Sequence, residues 1–119
     1  MADSRYTPHA KLVIRADHRG FFGPGIAELL SLIEQTGSLK DACREMGMSY
    51  SKGRTILSRA ESCLDYALIE KQPGGVGGGS THLTEEGASL LRCYHVWEED
   101  LASYLQESFQ KHMADAGLT

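Results

Sequence analysis

Residues 38–65 read SLKDACREMGMSYSKGRTILSRAESCLD, and the fold turns on where this stretch breaks. Ser38 can cap a short helix, Leu39 to Met46, by accepting a hydrogen bond from an otherwise unpaired amide, and Asp41 favours the positive end of that helix. Gly47 ends it. Met48 then separates the glycine from Ser49, a second cap that opens a longer helix reaching roughly Asp65. Ala42 is small where two helices would cross closely, Gly47 can take the positive φ of a tight turn, and Met48 can fill the angle between the helices. Helix, tight turn and helix in this order leave the start of the second helix available to enter a DNA major groove.

The composition of that second helix fits the placement. At about 100° per residue, Gly53, Ile56, Leu57, Ala60 and Leu64 share one face, which predicts the side turned to the core. Opposite lie Ser51, Thr55, Ser58 and Ser62, flanked by Arg54 on one side and by Lys52 and Arg59 on the other. Hydroxyls edged with bases suit DNA, because arginine pairs bidentately with guanine while hydroxyls and capping amides hold phosphates. An ordinary solvated helix face is the competing reading, and the preceding turn weighs against it. Tyr50 falls toward the core side of the wheel, where it packs the helix entrance or reaches a phosphate with its hydroxyl.

Outward from this segment the chain completes one architecture. Upstream, Lys11 to Ala16 predicts a first strand, Phe21 and Phe22 continue the apolar signal, and Gly23-Pro24-Gly25 opens a helix that carries Ile26, Leu29, Leu30 and Ile33 to about Thr36. Downstream, Ala67 to Gln72 and Ser80 to Leu83 predict two strands joined by Pro73-Gly74-Gly75-Val76-Gly77-Gly78-Gly79. Gly75, Gly77, Gly78 and Gly79 let such a tip bring backbone amides close to phosphate oxygens, against the alternative of a merely flexible hairpin. A nucleotide-binding loop is excluded there, since the stretch has no lysine and joins two strands. Thr84 caps a last helix to about His112, with Glu85 and Glu86 in its first turn. The predicted fold is mainly α with a small β-hairpin: a winged helix-turn-helix spanning residues 11–112, between an arm at 1–10 and a tail at 113–119.

The last helix carries Tyr94, Trp97, Leu101 and Tyr104 at steps of three and four, with Leu91, Leu105 and Phe109 alongside. So long an apolar stripe exceeds what one small domain covers, which predicts a homodimer interface at Leu91, Tyr94, Trp97, Leu101, Tyr104 and Leu105 unless the stripe folds back on its own domain. The 119 residues carry a formal charge of -4, which weighs against nucleic-acid binding until its distribution is read. From Ser49 to Ala60 the three bases Lys52, Arg54 and Arg59 meet no acid, whereas the last helix is acidic. Cys43, Cys63 and Cys93 stand alone, predicting buried reduced thiols rather than a disulfide framework or a metal site. The scattered histidines lack ligand spacing, and no nucleophile has a base beside it, so neither enzyme, cofactor nor metal is expected. Nothing approaches a membrane span or a secretory leader, which predicts a cytoplasmic protein.

These residues resemble the N-terminal DNA-binding domain of ModE-type molybdate-responsive regulators, which is related to that of LysR-type regulators. The resemblance covers about Lys11 to Gln110. It rests on Phe21-Phe22-Gly23-Pro24-Gly25, Gly37-Ser38 with Ala42, Gly47-Met48-Ser49-Tyr50 with Lys52, and Gly74 to Gly79 before Leu83-Thr84-Glu85-Glu86-Gly87. It implies that Ser49, Tyr50, Ser51, Lys52 and Arg54 open the recognition helix, that Gly74 to Gly79 form the wing, and that the first strand and last helix dimerise. Arg54 stands where the family often has an aromatic residue, which implies a different base preference. The oxyanion-binding domains of full-length members lie beyond the matching region, so molybdate or tungstate is not an expected ligand of these residues. The function expected is a dimeric regulator on a two-fold related operator; a winged-helix interaction module that binds DNA weakly is the alternative.

Overall fold

The structure is a computed structural model that describes residues 5–74 and 79–118. Its elements run β1 (Ile14–Ala16), β2 (Arg19–Phe22), α1 (Pro24–Thr36), α2 (Leu39–Glu45), α3 (Tyr50–Leu64), β3 (Ile69–Gln72), β4 (Ser80–Leu83) and α4 (Glu85–Asp115). This is a winged helix with a long C-terminal helix. The sequence placed three of its helix starts by their caps, and each cap forms. Ser38 Oγ accepts from Asp41 N at 3.0 Å, Ser49 Oγ from Lys52 N at 3.0 Å, and Thr84 Oγ1 from Gly87 N at 2.9 Å. Gly37 and Gly47 both take φ of 71°, the left-handed conformation that ends one helix and turns into the next at little cost to a residue without Cβ.

The amino-terminal strand differs from expectation. It is shorter, Ile14–Ala16, and pairs antiparallel with β2, which the sequence showed only as an apolar continuation. The signal was missed because Asp17 and His18 make the reversal, with φ of 50° and 66° and no glycine to announce it. Arg15 stabilises the turn by donating from Nη2 and Nε to the His18 carbonyl at 2.7 and 3.2 Å.

Phe22, Leu29, Leu30, Ile33, Leu39, Leu57, Leu68, Leu91 and Tyr94 meet in one core between α1, α2, α3 and the first third of α4. The crossing of α2 and α3 is set from both sides. Ala42 is fully buried, as its size predicts, and a Cβ on Gly53 would lie 2.3 Å from Cys43 Sγ. Cys43 is accordingly buried, and burial raises its thiol pKa. Cys63 and Cys93 are exposed, which corrects the expectation that all three thiols lie inside.

Alanine in place of glycine inside a helix ordinarily gains about 0.5–1 kcal/mol. At Gly53 we expect the opposite, a loss of about 1–3 kcal/mol, because the added methyl forces the helices apart. Urea unfolding measures it, and in a Cys43→Ala background, where the sulfur is gone, the penalty should shrink. An unchanged penalty there would place the strain elsewhere.

The wing is stitched to the helix-turn-helix by one buried polar residue. Thr81 of β4 donates its N–H to the Gly37 carbonyl at 2.9 Å, and its Oγ1 accepts from Leu39 N at 3.3 Å. At the other end of the hairpin, Glu61 of α3 accepts from Leu68 N and Ile69 N at 2.7 and 3.3 Å. These bonds fix where the β3–β4 hairpin stands beside α3. The long helix extends three residues past its expected end, and its exposed second half gives the molecule a longest extent of 64 Å.

Candidate nucleic-acid interface

Ser51, Arg54, Thr55 and Ser58 lie at i, i+3, i+4 and i+7 along α3, and all four are exposed on the side opposite Leu57 and Ala60. Lys52 is exposed beside them, in the first turn that Ser49 caps. The first turns of α3 thus offer amides, hydroxyls and two cations on an exposed face. A helix, about 10–12 Å across, fits the width of a DNA major groove.

Arg59 does not join this group. Its Nη2 donates to the Gly20 carbonyl of β2 at 3.0 Å, so the guanidinium braces the amino-terminal hairpin against the back of α3. Helical spacing puts Arg59 on the Lys52 stripe, but two turns further on the neighbouring element is β2 rather than open solvent. Arg59 thus has a structural partner on β2.

Tyr50 is more exposed than its wheel position suggests, at 38%, because it stands at the helix entrance and not within the packed turns. Its hydroxyl is hydrogen-bonded to Lys71 Nζ, and the ammonium also sits 4.7 Å from the ring centroid. That hydrogen bond, supplemented by the charges of Lys71 and Arg54, lowers the phenol pKa below its ordinary value. Lys71 was missed in the sequence. The signal was present, since it is the sole lysine or arginine between Asp65 and Leu83 and lies close to the glycine-rich tip.

Of the wing glycines, Gly75, Gly77 and Gly78 lie outside the described residues. Gly79 stands at the neck of the wing, where a Cβ would come within 2.4 Å of the Gln72 carbonyl oxygen. A side chain there would push the two strands apart. Its role is therefore to close the hairpin, which is a structural reason for one glycine of the run.

The proposed pairing surface divides in two. Leu91 and Tyr94 are 3% and 1% exposed and belong to the core of their own domain, so the expectation that they line a dimer interface is corrected. Tyr94 donates its hydroxyl to the Leu12 carbonyl at 2.8 Å and packs edge-on against Phe22. Beyond it, Trp97 and Tyr104 are 46% and 66% exposed, and Leu101 and Leu105 are half-buried. Val96, 65% exposed, belongs to the same surface and was not anticipated.

A helix-turn-helix whose second helix presents hydroxyls and cations beside a β-hairpin defines the winged-helix class. No family model matches the chain. Among known proteins it is 31% identical over 98 residues to the transcriptional regulator ModE of Yersinia pestis, which covers 82% of this chain and 36% of that protein. It is 42% identical over 89 residues to the molybdenum transport protein ModE of Herbaspirillum seropedicae, covering 75% of this chain and 30% of the relative. The molybdenum-pterin-binding protein MopB of Rhodobacter capsulatus is 34% identical over 85 residues, covering 71% and 31% respectively. The chain is similar to these ModE-type proteins over 71–82% of its own length, and it spans about a third of theirs.

Proposed function

We propose that the chain is a DNA-binding transcriptional regulator that acts as a cytoplasmic homodimer on a two-fold related operator. The observation that carries this reading is the exposed first turn and outer face of α3, where Ser51, Lys52, Arg54, Thr55 and Ser58 stand clear of the core beside the wing. The relatives named as transcriptional regulators support the same reading. Among the described residues no group of histidine, cysteine or carboxylate side chains has the arrangement of a metal site, and no helix is long and apolar enough to cross a membrane. We assign it no enzymatic role. The molybdenum in the names of two relatives belongs to proteins of which this chain covers under a third, and we do not carry that ligand over.

In this reading α3 enters the major groove, the wing follows the backbone, and the exposed half of α4 pairs two protomers. Recognition helices related by a two-fold axis lie about 34 Å apart, or a multiple of that, so the half-sites repeat in phase with the DNA turn. Arg54 projects from the exposed face and can reach a guanine edge, so Arg54→Ala is expected to cost roughly 1–3 kcal/mol and relax one base position. Lys52 sits at the flank and meets phosphate, so Lys52→Ala is expected to weaken all sequences alike and lower the salt slope by about one unit. Selection from a pool of random duplexes, followed by salt titration of both variants, tests the two roles. If no two-fold sequence is enriched and retention matches that of an acidic control protein, the interaction-module reading replaces this one.

A further inference from the structure

We infer that Tyr50 and Lys71 together form a clamp for one phosphate of the DNA backbone, at the seam between the recognition helix and the wing. The inference rests on the proposed DNA-binding reading and adds to it a contact made jointly by two elements. Tyr50 opens α3 and Lys71 lies on β3, 21 residues apart in the chain, yet the ammonium donates to the phenol oxygen. A phenol oxygen that accepts from lysine keeps its own O–H to donate, and an ammonium that spends one donor on the phenol keeps two. The pair therefore offers donors of two kinds to one anionic oxygen. Arg54, one turn along α3 from Tyr50, adds a second cation to the field there.

The position selects the occupant. Both side chains are exposed and themselves line the open groove at this seam, together with Lys40, Gly74 and Gly79. A duplex lying with its major groove on α3 passes its backbone over the junction of that helix with the wing. Thr81 and Glu61 hold β3 and β4 to the helices, so the clamp is preorganised and little ordering is needed when the phosphate arrives.

The test uses the full chain, a mixed-sequence duplex, and any duplex enriched from the random pool. Lys71→Gln should lower affinity for both duplexes by the same factor and reduce the salt slope by about one unit per protomer, with Lys71→Arg restoring the slope. Tyr50→Phe removes a neutral donor, so it should lower affinity severalfold while leaving the slope intact. The two losses should not add in the double variant, since each side chain orients the other. Unchanged affinity and slope in both variants, on a duplex that the wild type binds, overturns the clamp and leaves the DNA-binding reading standing. A lowered melting temperature with an unchanged slope also overturns it, because the pair would then only pack the wing. Displacement of duplex by millimolar inorganic phosphate at matched ionic strength would make the site one for a free anion and overturn it likewise. A wild type that binds no duplex removes both readings together.

Discussion

Replacing Tyr94 with alanine is expected to destabilise the domain by about 3–5 kcal/mol, the range for deleting a buried aromatic ring. Tyr94 is the largest fully buried side chain, and it joins three elements: α4, β2 through the Phe22 ring 5.2 Å away, and the segment before β1 through the Leu12 carbonyl. Deletion leaves a cavity against Phe22 and an unpaired carbonyl. For a domain of this size such a loss approaches the whole margin of stability. Urea unfolding of the purified variant measures it. A loss under about 1 kcal/mol would mean that α4 is held to the domain by something other than this residue.

The same residue makes stability depend on alkaline pH. Burial, aided by the neighbouring Glu98, pushes the Tyr94 pKa up to about 12 from an ordinary value of 10.0. Below pH 10 the phenol is protonated in both folded and unfolded chains, and its contribution is complete. Between about 10 and about 12 the unfolded chain releases this proton while the folded chain keeps it. The unfolded state then binds fewer protons, so stability falls as pH rises. Tyr50, whose pKa is lowered, works in the opposite sense. The readout is the difference between wild type and Tyr94→Phe, which cancels every other group. The variant should lose about 0.5–1.5 kcal/mol at neutral pH through its hydrogen bond. It should then show a shallower alkaline decline than the wild type; parallel curves would contradict the raised pKa.

The helical part of the fold was legible because its signals are local. A capping hydroxyl, a glycine with positive φ and an apolar stripe each act within a turn or two, and Ser38, Gly47 and Ser49 mark the helix-turn-helix without reference to the rest of the chain. What could not be read depended on which element lies opposite. Arg59 shares its stripe with Lys52, and only the position of β2 turns its guanidinium to Gly20. Leu91 and Tyr94 share a stripe with Trp97, and only the extent of the core, which ends between Tyr94 and Trp97, separates packing from surface. Lys71 is a lone cation on a short strand until folding sets it against Tyr50, and Thr81 is an ordinary strand threonine until its hydroxyl meets the start of α2.

That division of α4 sets the second large expected effect, on the dimer. Trp97, Leu101, Tyr104 and Ser108 follow at steps of four, three and four, the spacing of a seam between paired helices, and Val96 and Leu105 flank it. Large exposed aromatics at such a spacing leave apolar surface in water that a second copy of α4 would cover. Replacing Trp97 and Tyr104 with glutamine keeps the formal charge at -4 and, since neither residue is in the core, should leave the fold intact. Sedimentation should then show the wild type as a dimer at micromolar concentration and the double variant as a monomer. Two recognition helices held on one dimer bind their second half-site intramolecularly, so their separation should cost about 10²–10⁴-fold in affinity for a two-half-site duplex. Affinity for a single half-site should scarcely change, which separates loss of pairing from damage to α3. A wild type that sediments as a monomer would remove the dimer. A monomeric variant that still bound the two-half-site duplex at wild-type strength would show that pairing contributes nothing to recognition.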